Sequence, residues 1–224
     1  MSSSTVLHQA LELGDRALWR ATTATTRFGE RHHIDWLTYS PLQLIAYHRL
    51  AVIDAPSLAD AIIATVPEAR RWVDVGAGSG ALARAAKDRG IEVTALERAL
   101  GGRAIARLNG VNVHRVDIED ATTVGGPYDL ALSIEVAEHL PAELGRKLVA
   151  MLVASAPTVV FSAARPGQGG LGHINEQPVS YWRDRFAEVG WDRDDARTEA
   201  LATHLGEAAL HADWLAGNVQ VFAS

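Results

Sequence analysis

The sequence predicts a doubly wound α/β fold with a mostly parallel sheet, entered through a helical N-terminal cap. From Arg71 onward, short apolar runs alternate with helical patterns, which requires crossover connections and therefore parallel strands. The octapeptide from Val73 to Gly80, VDVGAGSG, carries one such run through glycines straight into a helix, ALARAAKDRG. Residues 1–70, by contrast, carry helical spacing and helix-start signals.

Taken in order, Val6 to Ala21 has apolar positions at helical spacing. Ser40-Pro41-Leu42-Gln43 is a capping box with proline at the first helical position, so a helix should run from Pro41 to about Asp54, with another after Pro56. Strands are expected at Arg71 to Val75, Ile91 to Leu96, Asn112 to Val116 and Leu130 to Val136, and helices at Gly80 to Arg89, Ala99 to Asn109 and Ala142 to Ala154. Ser180 can cap a helix whose Trp182, Phe186 and Val189 share one face and which stops at Gly190. Arg197 to Leu215 reads as helix and Asn218 to Phe222 as the final strand, while the charges from Arg183 to Asp195 read as solvated surface.

With 224 residues, 48% of them hydrophobic, the chain suffices for one α/β domain plus a modest appendage. A net charge of -6 without a long Lys/Arg tract argues against a nucleic-acid partner. The absence of cysteine excludes disulfides, thiolate metal sites and a cysteine nucleophile. No apolar run is long enough to span a bilayer and no secretory leader is evident, so a soluble cytoplasmic protein without a membrane partner is expected. The oligomeric state is not encoded in any visible pattern.

The glycine turn suggests a nucleotide-like ligand. Gly76, Gly78 and Ala81 satisfy the spacing of a dinucleotide fingerprint, which makes a nicotinamide-dependent oxidoreductase the alternative. Asp74 favours something else, because a carboxylate just before the turn repels a pyrophosphate and attracts an ammonium group. S-adenosylmethionine carries both an ammonium and a sulfonium. Glu97 ends the second strand where a ribose-gripping acid belongs, with Arg98 beside it, and Asp117 with the backbone at Ile118 can read an adenine edge.

The order VDVGAGSG, TALER, RVDIED and YDLALSIEVAEHLP resembles the class I S-adenosylmethionine-dependent methyltransferases. The resemblance runs from Arg71 to the C-terminus, with FSAARPGQG similar to the fifth strand and NVQVFAS to the antiparallel last strand of those enzymes. It implies a Rossmann-like, seven-stranded sheet over residues 71–224 and a lid-forming cap over residues 1–70. It also implies S-adenosylmethionine bound by Asp74, Gly76, Ala77, Gly78, Gly80, Glu97, Arg98, Asp117, Ile118 and Glu135. The acceptor would be a small molecule methylated on oxygen, in keeping with natural-product metabolism; a non-catalytic module of the same fold is the third alternative.

Histidine exchanges a proton near neutrality, and His139 after the fourth strand and His173 in the glycine-rich segment after the fifth stand where an acceptor would be deprotonated. Glu135, Glu138 and His139 are spaced to share one face of a helical turn. A subset of the resembled family holds Mg2+ or a similar divalent ion with such an E-x-x-E-H motif and a distant histidine, here His173; other relatives carry the motif without metal. Pro141 can end that turn early by starting the next helix. Asn175, Glu176 and Gln177 can hydrogen-bond an acceptor, Tyr39, Tyr47 and Tyr181 can line its pocket, and Trp182 is assigned to the core.

Overall fold

The computed structural model describes residues 20–25, 28, 29, 31, 32, 41–208 and 210–223, with backbone alone at 41–44, 46 and 47. Tyr39, the capping Ser40 and nearly all of the first expected helix therefore lie outside the described residues, as does the Tyr47 side chain. No described helix is long and apolar enough to cross a membrane.

A 25-residue helix, α1 (Pro41–Thr65), replaces the two helices expected around Pro56. Pro56 removes a single hydrogen bond, to the carbonyl of Val52, and both residues sit on the solvent side of the helix. Water can satisfy that carbonyl, so the helix continues. Its inner face, Ala55, Leu58, Ala59 and Ile62, is buried.

The sheet then builds outward from β1 (Arg71–Val75) through β2 (Glu92–Leu96), β3 (Val113–His114), β4 (Leu130–Ile134), β5 (Thr158–Ser162), β6 (Asp192–Arg193) and β7 (Gln220–Ala223). Its order is β3-β2-β1-β4-β5-β7-β6, so the direction of winding reverses between β1 and β4. Strands β1 to β5 are parallel, and β7 runs antiparallel between β5 and β6. The crossovers are α2 (Ala81–Lys87), α3 (Leu100–Leu108), α4 (Ala142–Val153) and α5 (Val179–Ala187), followed by α6 (Asp195–Glu207) and the short α7 (Leu215–Asn218).

Side chains alternate across the strands and fill two cores. Trp72, Leu130, Leu132, Val160 and Val221 face α1, α2 and α6, whereas Val73, Ala131, Val159, Phe161 and Phe222 face α4 and α5. Trp182 belongs to the second core as expected, tilted against Phe161 with centroids 5.2 Å apart. A strand buried on both faces favours an apolar centre, here Val159, Val160 and Phe161 between the buried hydroxyls of Thr158 and Ser162, so β5 starts upstream of the expected FSAAR.

Three further boundaries differ. The charged pair Asp192–Arg193, expected as free surface, is edge strand β6; charge on an edge is compatible with pairing because only one side is covered. Helix α5 starts before Ser180 with Pro178 as its cap residue, and Val189 falls beyond it, 42% exposed. The helix expected over Arg197 to Leu215 begins at Asp195, where Asp194 accepts from Arg197 N at 2.9 Å, and stops at Glu207. Asp54 of α1 then accepts the backbone amides of His211 and Ala212, which ties the cap helix to the approach to α7.

Candidate functional site

At the winding reversal, β1 ends in a turn whose Gly76, Gly78 and Gly80 adopt φ of 85°, 53° and 71°, a region that disfavours side chains. Gly76 and Ala77 both donate to the Leu96 carbonyl at 2.9 Å, locking the turn to the end of β2. A Cβ on Gly76 would stand 2.5 Å from Val136 Cγ2, and one on Gly102 would stand 2.8 Å from the Gly78 carbonyl oxygen. The strand ends and α3 thus press directly on this backbone.

Three acids surround the turn. Asp74 is buried and, among the described residues, forms no ion pair; burial first and Glu97 second push its carboxyl up to about 7. Glu97 accepts from Gly78 N at 2.9 Å and from Ala99 N at 2.6 Å, which leaves further lone pairs for a ligand hydroxyl. Asp117 accepts from Glu119 N at 3.2 Å and lies 3.8 Å from the Arg98 guanidinium, with Ile118 half-buried beside it. A tertiary contact absent from any local pattern completes the floor: His48 Nδ1 of α1 meets Ser79 Oγ at 2.8 Å, and Asn109 Nδ2 donates to the Ser79 carbonyl.

Val136 leads from the turn into a second cluster. Glu135, at φ 54°, donates its N–H to Ser162 Oγ at 3.0 Å, while its carboxylate accepts Gln168 Nε2 at 2.9 Å and Asn218 Nδ2 at 3.2 Å. The one-face spacing of Glu135 with Glu138 and His139 is therefore not realised. Only Ala137–His139 forms a turn of 3-10 helix, Glu135 has left-handed backbone outside it, and Pro141 caps α4 directly afterwards.

The donor atoms that do converge belong to Glu138, His139 and His173, all within 4.8 Å of one another. His139 Nδ1 lies 3.0 Å from the Gly172 carbonyl and so carries the proton. Burial first and the neighbouring His173 second push this imidazole down to about 4. Glu138 is 1% exposed, and among the described residues neither oxygen has a hydrogen-bond partner of ordinary geometry. Burial, then Glu135, raises it to about 8, although the amides of Glu138 and Ala164 oppose the shift. His173 stands edge-on to His139 with ring centres 4.9 Å apart, and its Nε2 is 3.9 Å from Glu138 Oε1.

Of the remaining acceptor candidates, Asn175 is buried and its carboxamide oxygen accepts from Gln177 Nε2 at 3.0 Å. Gln177 is half-buried, and the Asn175 Nδ2 has no hydrogen-bond partner among the described residues. The half-buried Tyr181 packs against the second core under the Arg185 guanidinium, 5.0 Å from its ring centre. A cleft of about 710 Å3 opens beside them, lined by Arg165, Gly167, Gln168, Pro178, Ser180 and Trp214. Gln168 and Asn218, absent from the expected site residues, hold Glu135 only because the loop after β5 and the end of α7 meet there; no short-range signal marks them.

A winding reversal that presents a carboxylate-lined glycine turn, with Val136 packed on Gly76 and His139 three residues further along the chain, is where open α/β sheets of this kind bind nucleotide-like ligands. Residues 47–197 match the family described as methyltransferase domain, and the chain belongs to that family. It is 28% identical over 176 residues to the ubiquinone biosynthesis O-methyltransferase of Dechloromonas aromatica, covering 73% of this chain and 66% of that protein. The first three curated relatives, all ubiquinone biosynthesis O-methyltransferases, are matched over only 34%, 45% and 48% of their length.

The fold is that of S-adenosylmethionine-dependent methyltransferases. An amino pentose methyltransferase of Micromonospora echinaspora, solved with the cofactor bound, superposes with a TM-score of 0.56 at 18% identity over 77% of this chain and 91% of that one. The mitomycin 7-O-methyltransferase gives 0.60 at 17% identity over 79% and 62%.

Proposed function

We propose that the protein transfers the methyl group of S-adenosylmethionine to an oxygen of a small hydroxylated molecule, in its narrower form a natural product. One observation carries the cofactor assignment: Asp74, buried beside Glu97 at a glycine turn and without an ion pair among the described residues, is suited to a ligand that brings its own positive charge. Glu97 then takes the ribose hydroxyls, and Asp117 and Ile118 take the adenine edge. The curated O-methyltransferase relatives support oxygen as the target. Residues 1–70 are taken as the cap over this cleft, with α1 its described part.

Transfer is an in-line displacement. The acceptor oxygen forms a bond to the methyl carbon, the carbon–sulfur bond breaks, its electron pair leaves with the neutral thioether, and the hydroxyl proton must go to a base. His173 Nε2 is that base in our reading. His139, held neutral with Nδ1–H on the Gly172 carbonyl, orients the hydroxyl. Glu138, His139 and His173 also fit a divalent ion such as Mg2+, because their donors converge and, among the described residues, neither Glu138 oxygen accepts a hydrogen bond of ordinary geometry. Bound there, it would lower the pKa of a ligated hydroxyl.

The test is turnover across a panel of phenolic and catecholic acceptors, in chelator and with Mg2+ restored. His173→Ala should lower kcat by about 100-fold or more while S-adenosylhomocysteine affinity holds within a factor of about two. Unchanged kcat rejects the base assignment, and full activity in chelator rejects the ion. Cofactor binding without transfer to any acceptor would favour the non-catalytic alternative.

A further inference from the structure

We propose that Glu176 is a positioning residue that fixes the tautomer of His173 and, through the same carboxylate, the shape of the loop that carries it. The proposal rests on the assignment of His173 as the atom that receives the acceptor proton. Glu176 Oε1 lies 2.9 Å from His173 Nδ1 and also accepts Gly169 N at 2.8 Å, while Oε2 accepts Gly167 N at 2.9 Å. A carboxylate can only accept, so Nδ1 must carry the hydrogen. Nε2 is left as the lone-pair atom on the side of Glu138 and His139.

The carboxylate is held from three sides, by the His173 ring and by the amides of Gly167 and Gly169. Gly170 closes the arrangement, since a Cβ there would stand 2.2 Å from His173 Nε2 and drive the imidazole away. Glu176 and Gly170 thus bound the ring, and Gly167 and Gly169 hold Glu176 in place. The tautomer they select is the one that either proton acceptance or ion ligation at Nε2 requires, so Glu176 acts through His173 rather than on the acceptor.

The experiment is imidazole nitrogen NMR on the full chain saturated with S-adenosylhomocysteine, comparing wild type, Glu176→Ala and Glu176→Gln, with His173→Ala to assign the signal. Wild type should show His173 with a protonated Nδ1 and a bare Nε2. Glu176→Ala should give a tautomer mixture. Glu176→Gln, whose amide oxygen can still accept from Nδ1, should restore the wild-type pattern although it cannot accept both glycine amides as a carboxylate does. A protonated Nε2 in neutral wild-type His173, or a Glu176→Ala spectrum identical to wild type, overturns the proposal. So does a Gln variant as disordered as the Ala variant, because Glu176 would then be a loop brace alone. Should Glu176→Ala fail to fold, the wild-type and Gln spectra decide. The function reading fails separately, if His173→Ala retains turnover while the tautomer pattern stands.

Discussion

The Glu97 carboxylate joins the glycine turn to the start of α3: one oxygen accepts from Gly78 N at 2.9 Å and the other from Ala99 N at 2.6 Å. One side chain therefore shapes the cofactor floor and holds the residue from which the next helix starts. Glu97→Ala should weaken S-adenosylhomocysteine binding by about 10-fold or more and cost on the order of 1 kcal/mol of stability through the lost hydrogen bonds. Calorimetric titration and thermal unfolding measure the two effects; unchanged affinity would remove Glu97 from the ribose site.

Gly102 allows α3 to lie against the turn, since a Cβ there would come 2.8 Å from the Gly78 carbonyl oxygen and 3.1 Å from Glu97 Cγ. Gly102→Ala must push the helix or the turn aside, although alanine favours helix intrinsically. The expected result is weaker cofactor binding, by about 10-fold for a displacement costing about 1.4 kcal/mol. Gly90→Ala serves as a control for strain alone, because its φ is 81° but nothing stands within 4 Å. It should lower the melting temperature and leave affinity in place.

Asp74 makes binding pH-dependent in a defined direction. Its carboxyl is raised to about 7 in the unliganded protein, and only the ionised form attracts the ligand ammonium. S-adenosylhomocysteine affinity should rise as pH increases toward 7, by at most about tenfold per unit, and level off above it. Titrations from about pH 5.5 to about pH 8.5 should show that slope in wild type and lose it in Asp74→Asn. A flat wild-type profile would contradict the role.

Glu138 has the opposite signature in the unliganded protein, because it affects folding itself. Its folded-state value of about 8 exceeds the ordinary 4.5, so its favourable neutral form is fully present below 4.5 and lost as pH rises to 8. Glu138→Gln cannot ionise. Its stability advantage over wild type should grow across that interval by up to about 1.4 kcal/mol per pH unit and then stay level. A difference independent of pH, measured by denaturant unfolding without divalent ions, would show that Glu138 does not titrate there.

The elements that sequence disclosed best are those whose constraints are local. Glycines at positive φ between a buried strand and an alanine-rich helix leave few alternatives, and acids at the ends of β2 and β3 follow from the same geometry. Where tertiary pairing decides, local pattern failed. Strand β6 exists because β7 offers it an edge, not because Asp192 and Arg193 favour strand. Helix α1 passes through Pro56 because the orphaned carbonyl reaches solvent. Glu135 was grouped with Glu138 and His139 on the assumption of helix, whereas its backbone turns left-handed and its carboxylate is held by Gln168 and Asn218 from distant segments. His139 and His173 come together across α4, β5 and the glycine-rich loop, joined by the bond from His139 to Gly172.

The central claim is that the acid-lined turn selects a cationic amino-acid nucleoside over a diphosphate. Calorimetric titration of the full chain with S-adenosylhomocysteine and, separately, with NAD tests it most directly. The account predicts binding of the nucleoside thioether with a Kd on the order of micromolar, about -8 kcal/mol, and no measurable heat with NAD. Tight binding of NAD with none of S-adenosylhomocysteine would contradict it.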